Sequence, residues 1–128
     1  MNNTNKTGNI LVVEDEVPMA RAIMDRLRSE GFQVTVAQNG REGLEKFSGG
    51  TFDIILLDIQ MPEVNGIQMM RQVREKLSQI PIIIYTNLTP DSEILKAVTQ
   101  DKPSYYFSKT EYSLDQVIEA IRNLLPKG

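Results

Sequence analysis

The sequence predicts an α/β domain whose doubly wound, mostly parallel sheet of five strands is covered by helices on both faces. Short apolar runs alternate with longer segments of helical periodicity, which is typical of repeated strand–helix units. Two runs, residues 10–13 and 54–57, are apolar throughout and rich in β-branched residues, as expected of strands buried on both faces. At 128 residues the chain has the length of one domain.

Apolar residues three or four positions apart predict the five helices. In chain order, their apolar faces carry Met19, Ile23 and Leu27; Leu44 and Phe47; Ile67, Met70, Val73 and Leu77; Ile94, Leu95 and Val98; and Leu114, Val117, Ile118, Ile121 and Leu125. Gly31 is placed to end the first helix. Ser113, with Gln116 three residues later, forms a capping-box pattern at the start of the fifth helix.

The remaining strands differ in pattern from the two apolar runs. Residues 32–36 alternate apolar and polar side chains, which indicates a half-exposed strand at a sheet edge. The fourth strand is predicted at residues 82–85, and a short aromatic strand at residues 105–107. Residues 1–8 are expected to form a disordered polar tail, and residues 9–126 the domain.

Composition excludes several functions. The net charge of −3 gives no electrostatic footprint for nucleic acid or for an anionic membrane surface. Without cysteine or histidine, the chain has no disulfide, thiolate metal site or imidazole base. No signal peptide, membrane span or DNA-binding output domain is recognisable in the sequence. We therefore expect a cytoplasmic domain that contacts neither nucleic acid nor membrane directly.

Polar side chains follow the predicted strands at the points where the strands end. Glu14 and Asp15 follow the first strand, Asp58 the third, Thr86 the fourth and Lys109 the fifth. Sheets of this class bind ligands at the carboxyl edge, where the strand order reverses. Acids crowded at such an edge repel each other, and Mg²⁺, which prefers oxygen ligands, relieves that repulsion. The sequence therefore predicts a magnesium site there.

Each of these residues also has a plainer interpretation. Acids are favoured near the N-terminus of a helix, so Glu14 and its neighbours could serve the first helix. Thr86 could be a turn or cap residue, and Lys109 a solvated charge. Asp58 is harder to explain in this way, because a carboxylate directly after four apolar strand residues is costly unless it is paired or bound. The combination at one edge favours a functional site.

Four segments, in this order, resemble the receiver domain of response regulators in two-component signalling. They are Ile-Leu-Val-Val-Glu-Asp-Glu at residues 10–16, Ile-Ile-Leu-Leu-Asp-Ile-Gln-Met-Pro-Glu-Val-Asn-Gly at 54–66, Ile-Ile-Ile-Tyr-Thr at 82–86 and Tyr-Tyr-Phe-Ser-Lys at 105–109. The resemblance covers residues 9–125 and implies the flavodoxin-like strand order 2-1-3-4-5. Within it, Pro62 and Gly66 are expected to shape the loop after the third strand.

The resemblance implies a phosphoacceptor site with a bound Mg²⁺. Asp58 resembles the phosphorylated aspartate of the family. Asp15 resembles the direct metal ligand and Glu14 the ligand acting through water. The main-chain carbonyl of Gln60 and the Asp58 carboxylate would complete the protein's share of the metal ligands.

The resemblance also implies a switch and its partners. Lys109 resembles the lysine that pairs with the phosphoryl oxygens, and Thr86 the hydroxyl residue that moves toward them, so that Asp58, Thr86 and Lys109 form the reactive set. Tyr106 resembles the aromatic residue that changes rotamer with Thr86. The donor would be a phosphohistidine on a sensor histidine kinase or a histidine phosphotransfer protein. A downstream protein would bind the face formed by the fourth helix, fifth strand and fifth helix.

Three departures from the family pattern lead to further expectations. Glu14 stands where the family usually has aspartate, and Asn87 where it mostly has a small residue. Thr110 replaces the usual proline after Lys109. Because a cis peptide bond before a residue other than proline costs about 2.5–4 kcal/mol, we expect a trans Lys109–Thr110 bond and an altered loop over residues 110–113.

Self-dephosphorylation is expected to be slow. Gln60 and Leu88 lie two residues after Asp58 and Thr86, at positions that line the approach of the attacking water in the family. Neither side chain is an acid or a base that could activate water, and Asn87 adds bulk. The domain would thus catalyse its own modification without being a turnover enzyme.

Two other classes of function would require different residues at this site. A phosphohydrolase with an aspartyl nucleophile would want a second acid two residues later, where Gln60 stands. A pseudo-receiver, which binds partners independently of phosphorylation, would be favoured by loss of Asp58, Thr86 or Lys109, and all three are present.

Overall fold

Five strands and five helices alternate along the part of the chain that a computed structural model describes, residues 8–60, 65–76 and 78–125. They are β1 (Asn9–Val13), α1 (Val17–Ser29), β2 (Gln33–Ala37), α2 (Gly40–Gly49), β3 (Ile54–Leu57), α3 (Gly66–Glu75), β4 (Ile82–Thr86), α4 (Ser92–Gln100), β5 (Tyr105–Ser108) and α5 (Leu114–Leu124). Residues 1–7 of the predicted tail, Pro62 and Leu77 lie outside the described residues.

All neighbouring strands pair in parallel, in the order β2-β1-β3-β4-β5, which confirms the predicted fold class and strand order. β2 lies at one edge of the sheet, as its alternating pattern predicts. Gln33 on this strand is exposed while Val34 beside it is buried. β3 is buried throughout and β1 is buried from Ile10 onward, and both lie in the interior of the sheet, where both of their faces are covered.

Successive side chains of each strand point to opposite faces, and so the sheet separates two apolar cores. On one face Ile10 and Val12 of β1 pack with α1 and α5. On the other face Leu11 and Val13 pack with α2, α3 and α4. The site residues that follow the strands are therefore supported by packed side chains on both sides.

Most of the predicted helix faces are buried, with two differences. Met69, which the periodicity did not single out, is buried beside Met70 and Val73 in α3. Leu95, predicted on the apolar face of α4, is 46% exposed, because α4 packs through Ile94 and Val98, one turn apart. α4 thus presents an apolar side chain to solvent.

Local backbone features agree with the predictions for the termini of the elements. Ser113 and Gln116 form the predicted capping box at the start of α5. No cis peptide bond occurs in the described part of the chain, so the Lys109–Thr110 bond is trans, as expected. Gly8, expected to belong to the disordered tail, is an exception: it is buried, and its carbonyl accepts a hydrogen bond from the Gln33 N–H, which extends the pairing of β1 with β2.

Within the three described stretches, no helix is both long and apolar enough to span a lipid bilayer.

Candidate functional site

Main-chain hydrogen bonds continue past the strand ends and bring the predicted site residues together. The Asp58 N–H donates to the Val13 carbonyl at 3.0 Å, directly after β3. The Lys109 N–H donates to the Thr86 carbonyl at 2.8 Å, directly after β5. Because parallel strands end at the same edge, these bonds place residues from distant parts of the chain at one edge of the sheet.

Asp58 is buried and lies at the centre of this cluster. Its Oδ1 accepts hydrogen bonds from the Thr86 hydroxyl at 2.7 Å and from the Gln60 N–H at 2.9 Å. Its Oδ2 accepts one from Lys109 Nζ at 3.0 Å. The Asp58 side chain is 6% exposed, so these donors replace the water that a carboxylate would otherwise bind. Asp58, Thr86 and Lys109 are therefore in direct contact.

Lys109 also binds Glu14, a contact that the sequence did not predict. Nζ donates to Glu14 Oε1 at 2.5 Å, and the Glu16 N–H donates to Glu14 Oε2 at 3.2 Å. The lysine side chain is 4% exposed and the glutamate side chain 2%. One ammonium group therefore bridges two buried carboxylates, those of Glu14 and Asp58.

The charges of this buried group depend on one another. Burial raises the pKa of the Glu14 carboxyl, and the hydrogen bond from Lys109 opposes that rise only in part. Burial acts to lower the pKa of Lys109, but its hydrogen bonds and charge interactions with Glu14 and Asp58 outweigh burial and raise it. Lys109 consequently remains a cation at neutral pH.

Three carboxylates at this edge could hold a metal ion. Oxygens of Glu14, Asp15 and Asp58 lie within 4.8 Å of one another. Asp15 is only partly buried, whereas the other two acids are buried. Each carboxylate oxygen can accept more than one bond, so the contacts with Lys109 and Thr86 leave acceptor capacity. An all-oxygen set of anionic donors fits a hard divalent cation such as Mg²⁺.

Tyr106 and Asp58 share no direct hydrogen bond, but a chain of hydrogen bonds connects the two residues. The Leu88 N–H donates to the Thr86 hydroxyl at 3.3 Å, and the Tyr106 hydroxyl donates to the Leu88 carbonyl at 2.9 Å. Burial, and then the negative charges of Asp58 and Asp91, raise the pKa of the Tyr106 phenol. Thr86 and Tyr106 are thus linked through the main chain of a single residue.

Sequence reasoning missed Tyr85 as a neighbour of the site. Its ring centroid lies 5.9 Å from Lys109 Nζ, on the face of the sheet opposite Tyr106. Its hydroxyl donates to the Tyr112 carbonyl at 3.4 Å. Tyr85 follows three isoleucines in the sequence and has no signal beyond that of a buried strand residue. Gln60, whose carbonyl was a predicted metal ligand, has an exposed side chain.

The parallel sheet in the order 2-1-3-4-5, with buried acids at its carboxyl edge and a lysine after its fifth strand, defines a class of aspartate-centred α/β domains. The model of the response regulator receiver domain family matches residues 10–122. The chain therefore belongs to the receiver domain family of two-component response regulators.

Named relatives agree with this assignment. The sensory transduction protein RegX3 of Mycobacterium tuberculosis is 35% identical over 120 residues, which are 94% of this chain and 52% of RegX3. The transcriptional regulatory protein YkoG of Bacillus subtilis is 33% identical over 118 residues, 92% of this chain and 51% of YkoG. The chain thus spans about half the length of these curated relatives.

A solved structure of the same fold is that of the response regulator TrrA from Thermotoga maritima, determined in complex with Mg²⁺ and beryllofluoride. The alignment has a TM-score of 0.80 and 30% identity, and it covers 93% of this chain and all of TrrA.

Proposed function

We propose that this domain is a phosphoacceptor switch, in which Asp58 takes a phosphoryl group from a phosphohistidine and the modified domain changes its binding to a partner. The observation that carries the proposal is the buried Asp58 carboxylate, held between the Thr86 hydroxyl at 2.7 Å and Lys109 Nζ at 3.0 Å. A carboxylate fixed in this way is a nucleophile of defined orientation.

The chemical step is a phosphoryl transfer. An Asp58 carboxylate oxygen forms a bond to phosphorus, the phosphorus–nitrogen bond of the donor breaks, and its electron pair remains on the imidazole nitrogen. The product is an aspartyl phosphate. Such transfers depend chiefly on positioning and on neutralising the charge of the phosphoryl oxygens. Lys109, buried and positively charged, supplies one such charge to the product.

A Mg²⁺ ion would supply the remaining positive charge when bound. Asp15, Glu14 and Asp58 are the residues that would hold it, since their oxygens lie together at the sheet edge. The Gln60 carbonyl remains a further predicted ligand. The solved complex of TrrA with Mg²⁺ and beryllofluoride supports magnesium as the ion bound here.

The donor lies outside this domain, because residues 1–128 contain no histidine to carry a phosphoryl group. A sensor histidine kinase or a histidine phosphotransfer protein fits this role in a phosphorelay, and we propose that the domain itself acts in the cytoplasm. For the downstream protein partner we propose the face of α4, β5 and α5, where Leu95 and Tyr112 are 46% and 39% exposed. The expected lack of direct nucleic-acid contact remains a prediction for this domain alone, since the relative YkoG is a transcriptional regulatory protein.

Intact-mass spectrometry tests the proposal. The protein is incubated with a small acyl phosphate or phosphoramidate, with and without Mg²⁺. We expect one phosphoryl group to be added to the wild type when Mg²⁺ is present, and none to Asp58→Asn, which keeps the size of the side chain but removes the nucleophile.

The exposed residue Asp25 on α1 provides the matched control, because Asp25→Asn makes the same chemical change away from the sheet edge. This variant should gain phosphoryl mass like the wild type. If the wild type gains none with Mg²⁺ present, or if Asp58→Asn gains as much, the proposed phosphoacceptor site is wrong. The pseudo-receiver alternative predicts that the wild type gains no phosphoryl mass.

A further inference from the structure

Two hydroxyl side chains flank Lys109 in the sequence and bond to each other across it. Ser108 Oγ and Thr110 Oγ1 lie 2.8 Å apart, and the Thr110 N–H donates to Ser108 Oγ at 3.3 Å. Ser108 is buried at the end of β5, whereas Thr110 is exposed. We call this pair of residues the hydroxyl clasp. The clasp closes a small ring around the main chain of Lys109.

The main chain on both sides of the clasp is fixed to the sheet and to the next turn. Ser108 lies opposite Thr86 in the pairing of β5 with β4, and the Lys109 N–H donates to the Thr86 carbonyl. The Ser108 carbonyl accepts the N–H of Tyr112 at 3.0 Å. The clasp therefore joins a rigid strand end to the loop that leads to α5.

Lys109 needs such a constraint because of its position and its length. Its side chain is a flexible stem of four methylene groups, yet Nζ must reach both Glu14 and Asp58. A proline after the lysine would fix its own φ and restrict the residue before it, but Thr110 does neither. The hydroxyl pair supplies a constraint on the same two residues by hydrogen bonding instead.

We propose that Ser108 and Thr110 are positioning residues, whose clasp holds the Lys109 main chain so that Nζ stays on Asp58. Within the described parts of the chain, neither hydroxyl has a hydrogen bond to Asp58 or Glu14, so the pair acts through Lys109. The kinetic consequence rests on the proposed function, in which Lys109 neutralises the phosphoryl group. The structural consequence, an ordered Lys109 ammonium, does not.

The test compares Thr110→Val and Ser108→Ala, which each remove one hydroxyl, with the double variant. Thr110→Ser keeps the hydroxyl and serves as the rescue. Thr35→Val on the edge strand β2 is the matched control for loss of a threonine hydroxyl. One readout is the rate constant of Mg²⁺-dependent phosphorylation by a small acyl phosphate, and thermal unfolding checks the fold of each variant.

The second readout is the NMR signal of the Lys109 ammonium in protein with ¹⁵N-labelled lysine, assigned by its loss in Lys109→Ala. Burial and two carboxylate partners should slow the exchange of its protons and make it visible in the wild type. Thr110→Val and Ser108→Ala should broaden or remove this signal, and Thr110→Ser should retain it. This readout requires neither donor nor phosphorylation.

Each single variant should phosphorylate on the order of tenfold more slowly, since small misplacements of reacting groups cost up to about a hundredfold. The double variant should be no slower than the slower single, because both substitutions break the same bond. Thr110→Ser and Thr35→Val should match the wild type. An unchanged ammonium signal in Thr110→Val would overturn the proposal. A double variant whose rate loss equals the product of the two single losses would also overturn it. If the wild type gains no phosphoryl group, the proposed function is wrong. The ammonium signal alone then tests whether Ser108 and Thr110 position Lys109.

Discussion

Glu14 is one methylene longer than the aspartate typical of receiver domains at this position, and both of its carboxylate oxygens are hydrogen-bonded. Receiver domains usually have aspartate at this position, and the longer side chain here reaches Lys109 Nζ at 2.5 Å while its second oxygen accepts the Glu16 N–H. Lys109 therefore holds residues after β1 and β3 together before any phosphoryl group is present. Two carboxyl groups share a single ammonium group here, which leaves oxygen atoms available to a bound cation.

The exposed residue Asn87, directly after Thr86, leads to a prediction about the lifetime of the phosphoryl group. If its side chain restricts the approach of water to Asp58, Asn87→Ala should speed phosphate loss severalfold. Loss of phosphoryl mass over time, after removal of the donor, measures this rate. Gln33→Ala, an exposed position on β2, is the control. An unchanged or slower loss in Asn87→Ala would contradict the prediction.

Residue types and strand ends together predict which side chains meet, but not every contact between them. Asp58, Thr86 and Lys109 could be placed at one edge because each directly follows, or ends, an apolar strand. The bond between Lys109 and Glu14 joins residues 95 positions apart. It depends on the reach and rotamers of two long side chains, and no local pattern carries that information.

At the scale of elements, the start of α3 depends on close backbone packing at Gly66. A Cβ atom there would lie 2.5 Å from the Asp58 carbonyl oxygen and 2.6 Å from Ile59 Cα, both main-chain atoms that cannot move aside. Gly66→Ala should therefore lower the free energy of unfolding by at least about 1–3 kcal/mol, the usual cost of overpacking. Urea unfolding measures the change.

Gly49, the last residue of α2, is the matched control, because nothing lies within 4 Å of a Cβ built there. Gly49→Ala should be neutral or stabilise the domain by up to about 1 kcal/mol, since alanine favours helix more than glycine does. Equal losses of stability in the two variants would contradict the packing argument.

An ion-pair network between α1 and α5 predicts how stability depends on pH. Arg122 Nη2 donates to Glu30 Oε1 at 2.8 Å, and Arg26 Nε to Glu30 Oε2 at 3.1 Å. Both hydrogen bonds hold the pKa of Glu30 below its ordinary value of 4.5, and the bond from Arg122 has the larger effect. A lowered carboxyl pKa stabilises the fold above the unfolded pKa, and that contribution is lost as the pH falls through the folded pKa.

Glu30→Gln should accordingly be less stable than the wild type near neutral pH, and the difference should shrink as the pH falls below 4.5. Thermal unfolding of both proteins over a pH series gives the comparison. Glu45→Gln, an exposed position on α2, should follow the wild type at every pH. A difference that persists unchanged in acid would show that Glu30 acts by packing and not by charge.

The start of a helix could be predicted from its capping residues where those residues do not also belong to a family motif. The sequence pattern of Ser113 and Gln116 predicts the capping box of α5, whereas the equivalent box of Asn65 and Gln68 at the start of α3 is not among the predictions. Asn65 lies within the segment that resembles the receiver family, and the resemblance predicts a loop there. The same residues can belong to a family motif and to a helix cap, and only the geometry shows that Asn65 also caps α3.

At the scale of the whole molecule, periodicity predicts the elements but not their lateral order. Alternating strands and helices fit several doubly wound sheets, and the order 2-1-3-4-5 followed from the family resemblance. That order brings the site together. The acids follow β1 and β3, and these strands lie next to β4 and β5, which lead to Thr86 and Lys109. Contacts among distant segments of the chain determine this arrangement.

The hydrogen-bonded chain from Asp58 through Thr86 and Leu88 to Tyr106 predicts how modification reaches the surface of the molecule. Thr86→Val keeps the branched shape but removes the hydroxyl that joins Asp58 to the Leu88 N–H. Phosphoryl transfer should persist, because the acids and Lys109 remain, while Tyr106 should no longer respond to it. Mass spectrometry measures the first effect, and ¹⁹F NMR of fluorotyrosine-labelled protein, with Tyr106→Phe for assignment, measures the second. Thr35→Val should retain both the transfer and the response. If the Tyr106 resonance of Thr86→Val moves as in the wild type, the coupling runs by another route, such as the Lys109–Tyr85 contact on the opposite face.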